Sequence, residues 1–414
     1  MSLTALFGNI ADSIRSKKGT SAPIVATDFP SEILSIPTGG GASPLNESLP
    51  VITWLYRDMV TGKDKIVKTN PVSGNAVPPT DVGDVQANAD HNPALTFQGW
   101  NHTSTEMQNV QWDMCIGATY ITTDGWSYFG LELNPATGLG PHVVEFRSTS
   151  GNTVTIDWMD GTPNHTFTGM GAQINKTWAS YGKRLFRAKV TSGTGNLSIS
   201  TGSASVCIYG NNVKKHNDAL VSAFLGSNIT LVAYSFAYSK IRTVSIPLNI
   251  TAITSYLFLH CYDLEFLVMP INTASIGANV LDNNYSLMAV SMPKNTTTIG
   301  NTVFAYCYLL KYVSLSNFAT IPGSVFNFCT SLKRIVIPSS ITSLSNSTFG
   351  GCRSLTEIVS LPTVPPTIDA TTFALQAAHK VYVPDGSLEA YKTATNWTAF
   401  ENHIYPLSAL TGGT

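Results

Sequence analysis

The chain carries little charge. Acidic and basic residues make up 12 % of its 414 residues, about half the usual share of roughly a quarter. They nearly cancel, with 24 Lys and Arg against 25 Asp and Glu. A net charge of −1 leaves no electrostatic footprint for nucleic acid or an anionic membrane surface. Long apolar runs are missing too, so no helical membrane span is expected. The opening Met1-Ser2-Leu3-Thr4-Ala5-Leu6-Phe7-Gly8-Asn9 has no basic segment, long apolar core or small-residue cleavage site, and reads as lacking an export signal.

Signatures of chemistry are equally scarce. There is no Gly-x-Ser-x-Gly elbow, His-Glu-x-x-His helix or phosphate loop; Thr61-Gly62-Lys63 lacks the upstream glycine and reads as a hairpin turn. The six cysteines include no CxxC pair, and the eight histidines are singletons, which removes the usual zinc patterns. His260 beside Cys261 is read as a structural pair. Asp157 and Asp160 are too few for a calcium site, and Asp160 suits a turn. The acids Asp263, Glu265, Asp282, Glu357 and Asp369 are scattered, with only Glu265 expected in a core strand, so a hydrolytic pair is not expected. The reading is of a non-enzyme with no catalytic residue, cofactor or metal.

What the chain does have is a ladder. From about residue 231 to 384 a pattern returns every 22 to 24 residues. An apolar residue recurs at Phe236, Phe258, Leu281, Phe304, Phe326, Phe349 and Phe373; three places later stand Ser239, Cys261, Asn284, Cys307, Cys329, Cys352 and Gln376. A strand ends before Pro247, Pro270, Pro293, Ser316, Pro338, Pro362 and Pro384, because proline has no N–H for a sheet. This period suits one strand and one turn segment per coil. A single coil cannot bury its apolar side, so coils must stack. The cysteines then face one way from successive coils and are expected to be free buried thiols.

These residues resemble the BspA-type leucine-rich repeats of bacterial surface proteins and phage virions. Val381-Tyr382-Val383-Pro384, Leu388-Glu389-Ala390-Tyr391-Lys392 and Trp397 look like that family's terminal coil and capping helix. Ser316 and Asn284 depart from its proline and cysteine. The resemblance implies a scaffold rather than a catalyst.

Upstream, three units are read. Residues 1–42 hold an amphipathic helix with Leu3, Phe7, Ile10 and Ile14 on one face, a second short helix and a Gly-rich linker. Leu6-Phe7-Gly8-Asn9-Ile10-Ala11-Asp12-Ser13-Ile14-Arg15 with Ala26-Thr27-Asp28-Phe29-Pro30 resembles an N-terminal module of phage tail and fibre proteins. Residues 43–123 alternate in short strands and resemble the internalin-type B repeat, a β-grasp-like spacer. Residues 124–206 resemble the PKD-type, Ig-like β-sandwich through Trp158-Met159-Asp160-Gly161 and Tyr181-Gly182, with Met159 in place of the family's glycine. The solenoid occupies 207–406 and a tail 407–414. The fold class is therefore mostly β and multidomain.

Within each coil the strand alternates. Val244, Ile246, Leu267, Met269, Val290, Met292, Val313, Leu315, Ile335 and Ile337 are expected to point inward. Thr243, Phe266, Tyr312, Ser314 and Arg334 point outward and are the candidate binding residues, because exposed aromatics and arginine favour recognition. The expected function is a phage tail or head fibre that attaches to a host-surface glycan or protein. It would join other virion proteins through its helical module and form a homo-oligomer, a trimer. The alternative is a bacterial surface adhesin.

Overall fold

A computed structural model describes residue 45 and residues 49–87, 93–149, 151–169, 171–199, 208–210, 218–373 and 379–411. The expected N-terminal helical module, residues 1–42, lies outside the described residues.

The first described unit is a four-stranded sheet. Strands β1 (Ile52–Arg57), β2 (Asp64–Thr69), β3 (Leu95–Trp100) and β4 (Met114–Thr122) lie in the order β2-β1-β4-β3. The two central strands are parallel, and each outer strand is antiparallel to its neighbour. Side chains alternate across a strand, so Ile52, Trp54, Tyr56, Ile116, Ala118 and Tyr120 fill one face, packed with Trp100, Val85 and Leu95. The opposite face carries Leu55, Cys115, Gly117 and Thr119. It is buried as well, since every residue from Ile52 to Arg57 is covered.

The second unit is two packed sheets. One contains β5 (Ser127–Leu133), β7 (Thr153–Asp157), β8 (His165–Thr168) and β10 (Gly182–Ser192). The other contains β6 (His142–Phe146), β9 (Ala172–Lys176) and β12 (Ile208–Gly210); a short β11 (Leu197–Ser198) lies outside both. Phe129, Phe146, Phe186 and Trp158 fill the space between. Asp160 forms an ion pair with Lys176 (2.7 Å), and Asp157 with Arg187 (3.0 Å). The Lys176 ammonium in turn sits 5.1 Å from the Trp158 ring and 5.2 Å from that of Trp178. Met159 takes φ of 54° at the turn, the left-handed conformation that glycine adopts more easily.

The sandwich does not end where the ladder begins. Strand β13 (Leu220–Phe224) pairs antiparallel with β5 and parallel with Thr243–Ser245, the first main strand of the ladder. The six-stranded sheet thus runs from the sandwich into the first coil. One apolar cluster extends from Phe129 to Ile404.

Each coil adds a main strand and a two-residue second strand. Leu267, Val290 and Val313 are in register across three coils, and Ile335, Ile358, Val381 and Ile404 across four. Of the residues expected inside, Ile246, Leu267, Met269, Val290, Met292, Leu315, Ile335 and Ile337 are buried; Val244 and Val313 are half-buried and packed on the core. The ring column stacks face to face, with Phe326–Phe349 and Phe349–Phe373 both at 5.3 Å and 3°. The last ring meets Trp397 at 5.9 Å. Trp397 Nε1 donates to the Pro366 carbonyl (2.8 Å) and Tyr391 Oη to that of Pro362 (2.8 Å), so the final coil's open end is satisfied.

The ladder thiols are unpaired, and they are buried. Each donates to a carbonyl of the coil before it. Cys261 Sγ reaches Phe236 O (3.0 Å), Cys329 reaches Phe304 O (3.1 Å) and Cys352 reaches Phe326 O (3.0 Å). Asn284 keeps such a bond, and Ser316 adds one that the prolines of its column cannot make. Asn284 Nδ2 donates to Phe258 O (2.8 Å), and Ser316 Oγ donates to Pro293 O (2.8 Å). Burial pushes the Cys261 and Cys352 thiols up to about 12, which keeps them protonated as donors.

Cys329→Ala removes a donor and leaves a small void, so it is expected to cost about 1–2 kcal/mol. Asn284→Cys should act oppositely, because the Asn284 Oδ1 acceptor is buried without a partner. Urea midpoints falling for the first variant and rising for the second would bear this out.

Candidate binding cleft between the first β domain and the ladder

The five candidate residues share one face of the ladder, but that face is not free. The four-stranded sheet of the first unit lies across it, and this corrects the expectation of an open recognition surface. Thr243 Oγ1 donates to Asp64, which also pairs with Arg57 (2.7 Å). Phe266 packs with Val268 and Ala289 against Leu55, Cys115 and Ile66. Tyr312 lies under the Lys68 ammonium, 4.2 Å from its ring centre. Ser314 Oγ accepts from the Cys115 N–H (2.7 Å). Arg334 reaches Asp113 at 3.6 Å and Glu357 at 2.6 Å. Glu265 precedes its strand, whereas Glu357 opens the strand Glu357–Ser360; the order expected from the sequence is thus reversed.

Sheet packs on sheet here, and close approach is what the residues allow. Gly117 faces Val268, and a β-carbon at Gly117 would stand 2.4 Å from the Val268 Cγ1. Beside it Asn101, fully buried, ties both layers. Its Nδ2 donates to Met269 O (2.9 Å) and Ser291 O (3.2 Å), and its Oδ1 accepts from the Gly117 N–H (2.8 Å). The Ser291 hydroxyl lies 2.7 Å from Cys115 O and 2.9 Å from Asn101 Oδ1. Buried polar groups are costly unless paired, so this network fixes one register between the units.

Where the two layers diverge they leave a cleft of about 1230 Å³. Lys68, Trp112 and Asp113 line it from the first unit, and Lys294, Lys311, Tyr312, Ser314, Lys333 and Arg334 from the ladder. Three of the five candidate residues therefore reach the cleft wall, while Thr243 and Phe266 do not. Trp112 and the three lysines of the ladder were not singled out by the sequence. Their only signal was that Lys311 and Lys333 hold one position in successive coils. Clefts between units are the usual place for ligands.

A second surface also escaped notice. On the turn side of the ladder Tyr262, Tyr285 and Tyr308 stack at 4.9 and 5.1 Å and are exposed. A neighbouring column holds Tyr238–His260 at 4.9 Å and Tyr306–Phe328 at 5.1 Å. The rings cover each other's faces and present edges and hydroxyls.

One family match falls on the ladder. Residues 229–356 match the BspA type leucine rich repeat region in six copies. Among solved structures, a leucine rich cell surface protein from Faecalibacterium prausnitzii A2-165 is similar at 20 % identity over 45 % of this chain, with a TM-score of 0.25. This chain spans 59 % of that protein's length. The pneumococcal vaccine antigen PcpA matches at 12 % identity over 44 % of this chain and 71 % of its own, with a TM-score of 0.23. A leucine-rich repeat protein from Bacteroides ovatus ATCC 8483 matches at 16 % over 45 % and 78 %, with a TM-score of 0.21. A search of the curated proteins finds no match.

Two outcomes test the docked arrangement. Gly117→Ala should wedge the layers apart, so that Cys115, buried between them, becomes reactive to a thiol reagent while the ladder thiols stay protected. A Cys115 as inert as in the parent would contradict the close approach. The second outcome is pH dependence. His102 is buried beside Asn101, and burial, aided by Lys294, pushes its pKa down to about 4. An unfolded histidine titrates near 6.5, so stability present above about 6.5 is lost as pH falls toward 4. His142 and His379, also lowered by burial, act in the same direction. The melting temperature should fall from pH 7 to pH 4.5, and less steeply in His102→Gln.

Proposed function

We propose that the chain is a non-enzymatic attachment protein, a leucine-rich-repeat adhesin acting at a surface outside the cell, with its ligand held in the cleft. The observation that carries this is the cleft itself. Its walls come from two units locked in one register by Asn101 and Ser291, and an immobile site binds without an ordering cost. Its carboxylates are engaged, Asp113 and Glu357 with Arg334 and Glu106 with the Thr103 N–H, which suits recognition better than proton transfer. The repeat region supplies the scaffold, and the Faecalibacterium neighbour is described as a cell surface protein.

The sheet order with its parallel centre supports reading residues 43–123 as β-grasp-like, and the two packed sheets support an Ig-like, PKD-like unit at 124–206. Here the first of these acts as one wall of the site rather than as a spacer. The virion-fibre expectation, with its anchor in residues 1–42, rests on residues outside those described, and the repeat match adds nothing to it. No helix among the described residues is long and apolar enough to cross a membrane.

The test is attachment. Labelled protein should bind saturably to responsive cells in a panel of bacterial and mammalian types. Trp112→Ala with Tyr312→Ala should weaken that binding about tenfold, the loss of two aromatic contacts, without loss of the folded state by circular dichroism. Undiminished attachment by a folded variant would move recognition out of the cleft, toward the tyrosine row.

A further inference from the structure

Resting on that reading, we propose that the cleft takes an acidic carbohydrate chain, one bearing carboxylate or phosphate groups. The observation is a local departure from the chain's charge balance. Over the whole sequence basic and acidic residues number 24 and 25, yet the cleft is lined by Lys68, Lys294, Lys311, Lys333 and Arg334 against Glu106, Asp113 and Glu357.

The three acids are already engaged. Asp113 and Glu357 both pair with Arg334, and Asp113 also accepts from the Val51 N–H (2.9 Å). Glu106 accepts from the Thr103 N–H (2.8 Å). Lys294, Lys311 and Lys333 are exposed and form no ion pair among the described residues. His102 is held neutral by burial and adds no charge. Lys311 and Lys333 each stand just before the main strand of successive coils, whose rings Phe304 and Phe326 stack at 5.1 Å, so their ammonium groups form a row rather than a point. A polymer with repeated negative charge fits a row.

Two features favour a sugar over an acidic peptide. Trp112 and Tyr312 stand half-buried in the same walls, Tyr312 with one face under the Lys68 ammonium, and flat apolar rings meet the C–H faces of sugars. The remaining lining is rich in hydroxyl and amide groups, among them Ser331 and Asn317, which pair with sugar hydroxyls. An acidic peptide added as a strand would need an unpaired main-strand edge. Two such edges do border this cleft, Tyr312–Val313 and Arg334–Ile337, which end separate sheets, so an acidic peptide is the competing occupant and the polyglutamate gel decides against or for it.

The experiment is affinity electrophoresis of the full chain in gels holding polygalacturonate, a phosphorylated polysaccharide, uncharged dextran or polyglutamate. At least one acidic polysaccharide should retard the parent, and which of the two does so identifies the anionic group. Dextran should not, and polyglutamate should do so far less. Added salt should weaken the retardation, since exposed charges are screened. Lys311→Glu with Lys333→Glu should lose about tenfold in affinity through charge reversal, while Lys240→Glu, outside the cleft, should match the parent. Lys311→Gln with Lys333→Gln serves if the reversal disturbs folding, as judged by its melting curve. Equal retardation by dextran or by polyglutamate would overturn the proposal, as would parental affinity in the lysine variants. If neither acidic polysaccharide retards the chain while cells still bind it through Trp112 and Tyr312, the acidic-sugar assignment fails and the attachment reading stands. If cell binding is absent as well, both fall.

Discussion

A coil of 22 to 24 residues cannot satisfy its own backbone, and the architecture follows from that constraint. Every main strand needs a neighbour on both edges, and an unpaired edge invites foreign strands. The coils solve this for one another within each sheet of the ladder, and the sheets end at Phe266–Val268, Tyr312–Val313 and Arg334–Ile337. At the start, β13 lends its edge to β5 of the sandwich. At the end, Ile404–Pro406 pairs with the last main strand, and Trp397 and Tyr391 take up neighbouring carbonyls. The sandwich is thus a structural cap as well as a unit of its own.

The same constraint explains which substitutions the ladder tolerates. The small position must donate to the coil before it, and a thiol or an amide does so equally well in geometry. Elsewhere the turns are strained. Tyr306 and Phe328 both stand at φ of 59°, where a non-glycine residue costs about 1–3 kcal/mol. Their rings stack at 5.1 Å, an interaction that returns roughly 0.5–1.5 kcal/mol. Gly351 occupies the equivalent place one coil later with no such ring. Aromatic residues are therefore kept there against backbone preference.

How much of this could be read in advance depended on distance along the chain. The ladder was legible because stacking imposes one residue type on one position in every coil, as at Phe326, Phe349 and Phe373. Inward residues such as Leu267 and Ile335 followed from the two-residue period of a strand. What covers Phe266 and Ser314 was not legible, since the bond from Cys115 to Ser314 joins residues 199 apart. One local sign did exist. The first unit's central strands carry small or apolar residues on both faces, Leu55, Cys115 and Gly117 on one and Trp54 and Ile116 on the other. A spacer sheet exposed on one side would alternate with polar residues. The tyrosine row was equally legible, because Tyr262, Tyr285 and Tyr308 repeat every 23 residues, although they stand in a turn rather than in a strand.

The docking of β4 on the ladder also sets an order in time. The apolar face of Leu55, Cys115 and Gly117 is made early in synthesis, whereas Met269, Ser291 and Ser314 emerge 168 to 199 residues after their partners. Contacts of such sequence separation form late, since long loops must close before they contribute. Until several coils have stacked, the nascent chain carries an uncovered apolar sheet, the kind of surface that draws chaperones or neighbouring chains. Maturation of the cleft is then the last step of folding, and yield during expression is governed by how quickly the ladder arrives to cover that sheet.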